Sequence, residues 1–286
     1  MVFAKADGII DLRSFEDFKQ GHLKNATWLS WEILPESLNA LPASPSKLYL
    51  VGGKDEIEAA SVLLDSKGYD VTGSLVIHSN QTMQAWSEKL PGLVESGSNS
   101  KVLWSPCALV AEFVDLLKTT KLEFNLEEKA RPAVLDIGCG GGRDAIFLAK
   151  NRMNVTAIDH EAKVLKRSKA LAALSGANVK FKCCDIKKEG CLPNQQFDLI
   201  TMVRFLNRDI FEYIEQVTRP GGFVLFQTFT EGVEKFDSPK NPNFILKPTE
   251  LAQVFSGFNI IIDRIDTLDD GRPVASFLAQ KPLTKT

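Results

Sequence analysis

Asp136 lies two residues before the first glycine of GCGGGR, a segment in which Gly138, Gly140, Gly141 and Gly142 leave the main chain bare. A glycine-rich turn between a strand and a helix lets a ligand approach the backbone and aims N–H groups at it. The dinucleotide form of that turn needs a third glycine where Arg143 stands. A carboxylate at the mouth of the loop also opposes a pyrophosphate and favours a cation. Asp159 follows 23 positions after Asp136, at the end of NVTAID, where a carboxylate accepts both hydroxyls of a ribose. Asp185 ends VKFKCCD, placed to accept an adenine amino group. One such aspartate alone would be read as a helix cap. Three at successive strand ends beside a glycine loop mark the carboxyl edge of a sheet, where open α/β folds bind ligands.

A second group follows FDLITMV, where VRFLNR brings Arg204 and Arg208 beside the same edge. Two guanidiniums there can hold an anion through forked hydrogen bonds, and surface ion pairing is the plainer alternative for both. Asn207 between them cannot act as a base. A nucleophile already ionised needs none, so positioning would carry the catalysis.

These residues need a scaffold that alternates strands and helices. AVLDIG, NVTAID, VKFKCCD, FDLITMV and GGFVLFQTF read as strands separated by helical segments such as DAIFLAKNR, in which Ala145, Leu148 and Ala149 share a face. FNIIIDRID and PVASFLAQK, joined by TLDDGR, read as an antiparallel hairpin. The stretch KLPGLVESGSNSKVLWSP, rich in Gly, Ser, Asn and Pro, separates this half from an earlier set of strands and helices. The expectation is two α/β domains with mainly parallel sheets: residues 1–90, a linker over 91–103, and residues 104–286.

With DIGCGGGRDA, AID, FDLITMVRFLNR and RPGGFVLFQTF in view, the second half resembles class I S-adenosylmethionine-dependent methyltransferases. VRFLNRDIF, NPNFILKPTEL and DDGRPVASFLAQK resemble the tellurite-resistance branch of that family more narrowly. The resemblance implies a Rossmann-like, mainly parallel seven-stranded sheet ending in an antiparallel hairpin. It implies S-adenosylmethionine as cofactor, lined by Asp136, Gly138, Gly140, Asp159, Asp185 and Val203, with Trp104 closing one side. It assigns Arg204 and Arg208 to catalysis on a small anionic or soft acceptor such as a thiol, selenium or tellurium compound. Two departures blur the acceptor: Asn207 stands where relatives carry His, and Gln227 where an acid is expected. The first half, with IIDLRSFEDF, GHLKNA and VGGKDEIEA, resembles a rhodanese-like domain. No cysteine precedes Cys107, so this half lacks the nucleophile that sulfur transfer requires and reads as a docking module for a protein partner. Asp55 and Glu56 in its glycine loop oppose an anion, and His22 is expected to hold a turn.

Composition narrows the remaining classes. The 286 residues carry a net charge of -2, which offers no footprint for nucleic acid or an anionic membrane. No apolar run reaches the ~20 residues needed to span a bilayer, and a cytoplasmic protein is expected. Cys107, Cys139, Cys183, Cys184 and Cys191 fit no metal site; reduced thiols are expected, with Cys183 and Cys184 buried on a strand. Two further readings stand beside the small-molecule methyltransferase: a protein or RNA methyltransferase that docks through its first half, and a non-catalytic cofactor-binding regulator.

Overall fold

The computed structural model describes residues 5–78, 85, 88–119, 121–125 and 130–283; the other positions of the expected spans 1–90 and 104–286 lie outside the described residues. The chain divides into two compact units, Met1–Ser105 and Pro106–Thr286.

The first unit contains β1 (Gly8–Asp11), α1 (Phe15–Gln20), β2 (His22–Leu23), β3 (Ala26–Trp28), β4 (Lys47–Gly52), α2 (Lys54–Asp65), β5 (Asp70–Val76) and β6 (Val94–Glu95). Four strands form a parallel sheet in the order β3-β1-β4-β5, and β2 pairs with β6 antiparallel. Central parallel strands are covered on both faces and so read as continuous apolar runs, as GIID and LYLVG do. The segment 91–103 is fastened to this unit. It contains β6, Ser100 Oγ accepts from the Trp28 amide at 2.9 Å, and the Lys101 carbonyl accepts from Thr27 Oγ1 at 2.6 Å. Gly8 leaves room for Leu103, which a Cβ at that position would meet at 2.6 Å. Arg13 forks onto Asp11 and reaches the Gly21 carbonyl, and buried His22 bonds the Phe18 carbonyl through Nδ1 at 2.8 Å.

The second unit contains α3 (Ala108–Lys118), β7 (Ala133–Ile137), α4 (Arg143–Lys150), β8 (Asn154–Asp159), α5 (Ala162–Leu174), β9 (Val179–Cys183), β10 (Phe197–Val203), α6 (Phe211–Val217), β11 (Thr218–Phe229), α7 (Glu250–Val254), β12 (Asn259–Thr267) and β13 (Pro273–Gln280). The sheet order is β12-β13-β11-β10-β7-β8-β9. β7 to β11 run parallel, and β13 inserts antiparallel between β11 and β12. Alternation along each strand divides the core. Val134, Val155, Leu199, Phe223 and Leu278 pack with Leu109, Val110 and Phe113 of α3 on one face. Leu135, Ile158, Ile200, Phe226 and Phe277 pack with Phe211, Ile214 and Leu251 on the other.

The cysteines correct one expectation. Cys184 and Cys191 form a disulfide, because the turn after β9 brings their Cα atoms to 5.8 Å, within bridging range. Cys183 is exposed, since β9 ends the sheet and has no strand on its outer side.

Candidate functional site

The cleft sits at the carboxyl ends of β7, β8, β9 and β10. Adjacent registers place Asp136 beside Thr201 and Ala157, and Asp159 beside Cys183, so parallel pairing alone draws these strand ends to one edge. A cavity of about 880 Å³ opens there, lined among others by Gly138, Gly140, Asp159, Asp185, Arg204 and Phe205.

The glycine loop is built by left-handed backbone. Gly138, Gly140 and Gly142 have φ of 74°, 49° and 78°, which side chains rarely adopt. At Gly138 a Cβ would meet the Phe205 ring at 2.7 Å, whereas at Gly140 nothing lies nearer than 4.0 Å. Gly138 therefore admits a neighbouring side chain, and Gly140 leaves its backbone open. The Gly140 amide donates to Asp159 Oδ2 at 2.9 Å, and its carbonyl accepts from Ser168 Oγ at 2.7 Å.

Asp159 Oδ1 also accepts from the Glu161 amide at 2.9 Å. Each oxygen keeps a lone pair, enough to accept two hydroxyls. Asp185 Oδ1 accepts from the Lys187 amide at 3.0 Å, which turns the carboxylate into the cleft wall.

Asp136 is buried behind the loop. Its Oδ1 accepts from Thr201 Oγ1 at 2.9 Å, and its Oδ2 has no hydrogen-bonding partner among the described residues. Burial, with the charges of Asp144 and Asp159 added, pushes its carboxyl from an ordinary 3.8 up to about 8 against the Thr201 hydrogen bond. Asp144 is itself raised by burial. A buried acceptor without a partner is costly unless a donor is supplied. The ammonium and sulfonium of S-adenosylmethionine bring positive charge and the donor that Oδ2 lacks, so these residues fit that group.

The two arginines differ sharply. Arg204 has φ of 54°, an uncommon conformation for a non-glycine residue, and its amide donates to the Gln227 carbonyl at 2.6 Å. Its exposed guanidinium lines the cleft and makes no hydrogen bond or ion pair among the described residues, though Asp144, Cys107 and Asp270 feel its charge. Arg208 also borders the cleft, but Glu250, the Asn243 carbonyl and the Ile245 carbonyl take up its donors. The expectation that Arg208 holds an acceptor meets a fork already occupied by a carboxylate of this chain.

Val203 ends β10 and is partly buried against the α3 side of the core. Trp104 is buried and counted with the first unit; neither residue is among those lining the cleft. Gln227, which replaces an expected acid, accepts from Cys107 Sγ at 3.1 Å and donates to Ser276 Oγ at 2.9 Å. An amide can do both, whereas an ionised carboxylate only accepts. Asn207 caps a short turn through the Asp209 amide. Sequence reasoning passed over Thr201, Asp144 and the segment with Asn241, Asn243 and Phe244, which borders the cleft. Only Thr201 had a local signal, as the lone hydroxyl inside the apolar strand FDLITMV. Among the described residues no cluster of His, Cys, Asp or Glu could hold a metal ion, and no helix is long and apolar enough to cross a membrane.

Comparison with known proteins agrees with this geometry. Residues 134–222 match the family described as methyltransferase domain. An uncharacterised protein of Schizosaccharomyces pombe is 25% identical over 95% of this chain and 93% of its own length. Ubiquinone biosynthesis O-methyltransferases of Bordetella avium and Salmonella enteritidis are 28% and 31% identical over 36% and 33% of this chain. Those matches span 45% and 41% of the two enzymes, less than half of each. Among solved structures, TehB of Haemophilus influenzae is similar with a TM-score of 0.48 at 21% identity, over 69% of this chain and 66% of that one. The glycine loop, the strand-end acids and the family match define the second unit as a methyltransferase domain. Residues 134–222 thus belong to a methyltransferase domain, and S-adenosylmethionine is the cofactor of that domain.

Proposed function

We propose that this protein transfers a methyl group to a small anionic or soft nucleophile, a thiolate or a selenium or tellurium oxyanion being the acceptor class. The observation that carries this reading is Arg204, a guanidinium at the cleft with none of its donors used among the described residues. It is mounted at the end of β10, on a rigid element, one residue past Val203. Bound S-adenosylmethionine supplies an electrophilic methyl on a sulfonium. Asp136, Gly140, Asp159 and Asp185 would hold it, with Gly138 shaping the loop. Arg204 then orients an acceptor that arrives ionised, so no residue need remove a proton, in keeping with Asn207 at the neighbouring position.

The first unit is read as a rhodanese-like docking module without sulfurtransferase chemistry. No cysteine occurs before Cys107, and the amide of Gly53 in the loop after β4 is taken by Glu56 Oε2 at 2.9 Å. The alignment with the fission yeast protein, over 95% of this chain, supports the two units as one inherited arrangement.

The test is turnover of labelled S-adenosylmethionine with thiols, selenite, tellurite and bulk RNA offered separately. Methylation of a small acceptor, lost in Arg204→Ala, supports the proposal. Methylation of RNA alone, or of none while cofactor still binds, removes it.

A further inference from the structure

Arg208 and Glu250 lie 42 residues apart in sequence yet meet as a fork: Arg208 Nη2 donates to Glu250 Oε2 at 2.9 Å and Nε donates to Oε1. The same guanidinium donates to the carbonyls of Asn243 at 2.9 Å and Ile245 at 3.0 Å. Glu250 Oε2 in turn accepts from the Lys247 amide at 3.0 Å. The segment between β11 and α7 is thus tied at three points to one ion pair. A separate tie holds its middle, where Leu246 bonds the Phe229 carbonyl and its own carbonyl accepts from Thr230 Oγ1 at 2.9 Å. Asn241, Asn243 and Phe244 of this segment line the same cleft as Arg204, Asn207 and the glycine loop. Phe244 keeps 48% of its surface exposed, a large apolar side chain held out toward the opening. The fork is partly buried, with Arg208 34% and Glu250 17% exposed, and the backbone groups it holds all belong to this one segment.

We propose that Arg208 and Glu250 act as one positioning pair that holds residues 241–247 along the acceptor side of the cleft and thereby sets which acceptors fit. Neither residue touches the reacting atoms. The proposal rests on the methyl-transfer reading above, and it makes opposite predictions to a role for Arg208 in gripping the acceptor itself. If the pair positions the segment, removing either partner loosens the same segment, since Arg208→Ala frees the Asn243 and Ile245 carbonyls and Glu250→Ala frees the Lys247 amide and the fork that aims Arg208. If Arg208 grips the acceptor, removing Glu250 frees its fork for that task.

The experiment uses the full chain with Arg208→Ala, Glu250→Ala, the double variant, Arg208→Lys and the milder Glu250→Gln. Acceptors are tellurite, selenite, dithiothreitol and an aromatic thiol of naphthalene size. Arg208→Ala and Glu250→Ala should each raise KM for the small acceptors about tenfold with kcat changed far less. The double variant should be no worse than either single one, since the residues act as a unit. The naphthalene thiol should gain relative to dithiothreitol, Arg208→Lys should recover part of the loss, and cofactor affinity should stay within about twofold of the parent. Hydrogen exchange in peptides covering 242–246 should quicken in both alanine variants. Glu250→Gln keeps a neutral acceptor and should show the same pattern at smaller size if the alanine variant fails to fold. An unchanged or lowered KM in Glu250→Ala beside a raised one in Arg208→Ala overturns the proposal, as does exchange over 242–246 that neither substitution alters. Should the parent protein methylate no acceptor, the reading of function fails, while exchange still decides for or against the positioning pair.

Discussion

Asp136 offers the sharpest test of the cofactor site. With its carboxyl near 8, about 99% of the free protein holds a proton there at pH 6.0 and roughly three quarters at pH 7.5. A cationic ligand pairs with the ionised form, so binding must release that proton. If only the ionised form binds, affinity for S-adenosylmethionine rises roughly twentyfold between pH 6.0 and 7.5, about 1.9 kcal/mol. The ligand's α-ammonium stays charged across most of this window. Calorimetry at pH 7.0 in buffers of different ionisation enthalpy should register about 0.9 proton released per cofactor bound. Asp136→Asn keeps an oxygen for the Thr201 hydroxyl and cannot titrate, so its profile should be flat and its affinity lower. The variant isolates this carboxyl from every other group. A flat profile in the parent protein, or an equally steep one in Asp136→Asn, would refute the pairing of this carboxylate with the cofactor's positive charge. The same value has a consequence for folding. Between pH 3.8 and about 8 the folded state holds a proton that the unfolded chain has released, so stability falls as pH rises through that interval and levels off above it. Asp136→Asn should remove that decline.

Asp159→Ala should weaken S-adenosylmethionine binding by roughly 2 to 4 kcal/mol, because it loses the hydroxyl acceptor and the tie to the Gly140 amide together; an unchanged Kd by titration calorimetry would move the ribose site elsewhere. Arg204→Ala should lower kcat/KM for an anionic acceptor about ten- to a hundredfold with cofactor affinity nearly unchanged, and Arg204→Lys should restore only part of it. Reduction of Cys184–Cys191, or Cys191→Ser, should cost about 2 to 3 kcal/mol from the released loop, visible as a lower Tm in reductant for the parent but not for the variant. The segment Met1–Ser105 should show no thiosulfate sulfurtransferase activity, and turnover above background would require a nucleophile other than cysteine.

What the sequence revealed follows the range of the forces involved. The glycine loop and the acids at 136, 159 and 185 could be read directly, because strand periodicity and residue type are local and parallel register then assembles the edge. The antiparallel closing hairpin was equally plain, with TLDDGR as its turn. The pairing of Arg208 with Glu250 was not, since the two lie 42 residues apart and only the path of the intervening chain brings them together. The Cys184–Cys191 pairing depends on a turn whose Cα separation no spacing rule supplies. Gln227 looked like a lost acid until the thiol of Cys107 and the hydroxyl of Ser276 appeared on either side of it.

The antiparallel insertion of β13 also governs the order in which the second unit can form during synthesis. Among the described residues β12 pairs with no strand but β13, and β13 lies along β11 from Phe223 to Phe229. Until residues 273–280 have left the ribosome, β11 presents an unpaired apolar edge and β12 has nothing to join. The sheet that holds Asp136, Asp159 and Arg204 in place is therefore completed by residues made after all three, and a nascent chain stalled before residue 273 carries them without the scaffold that aligns them.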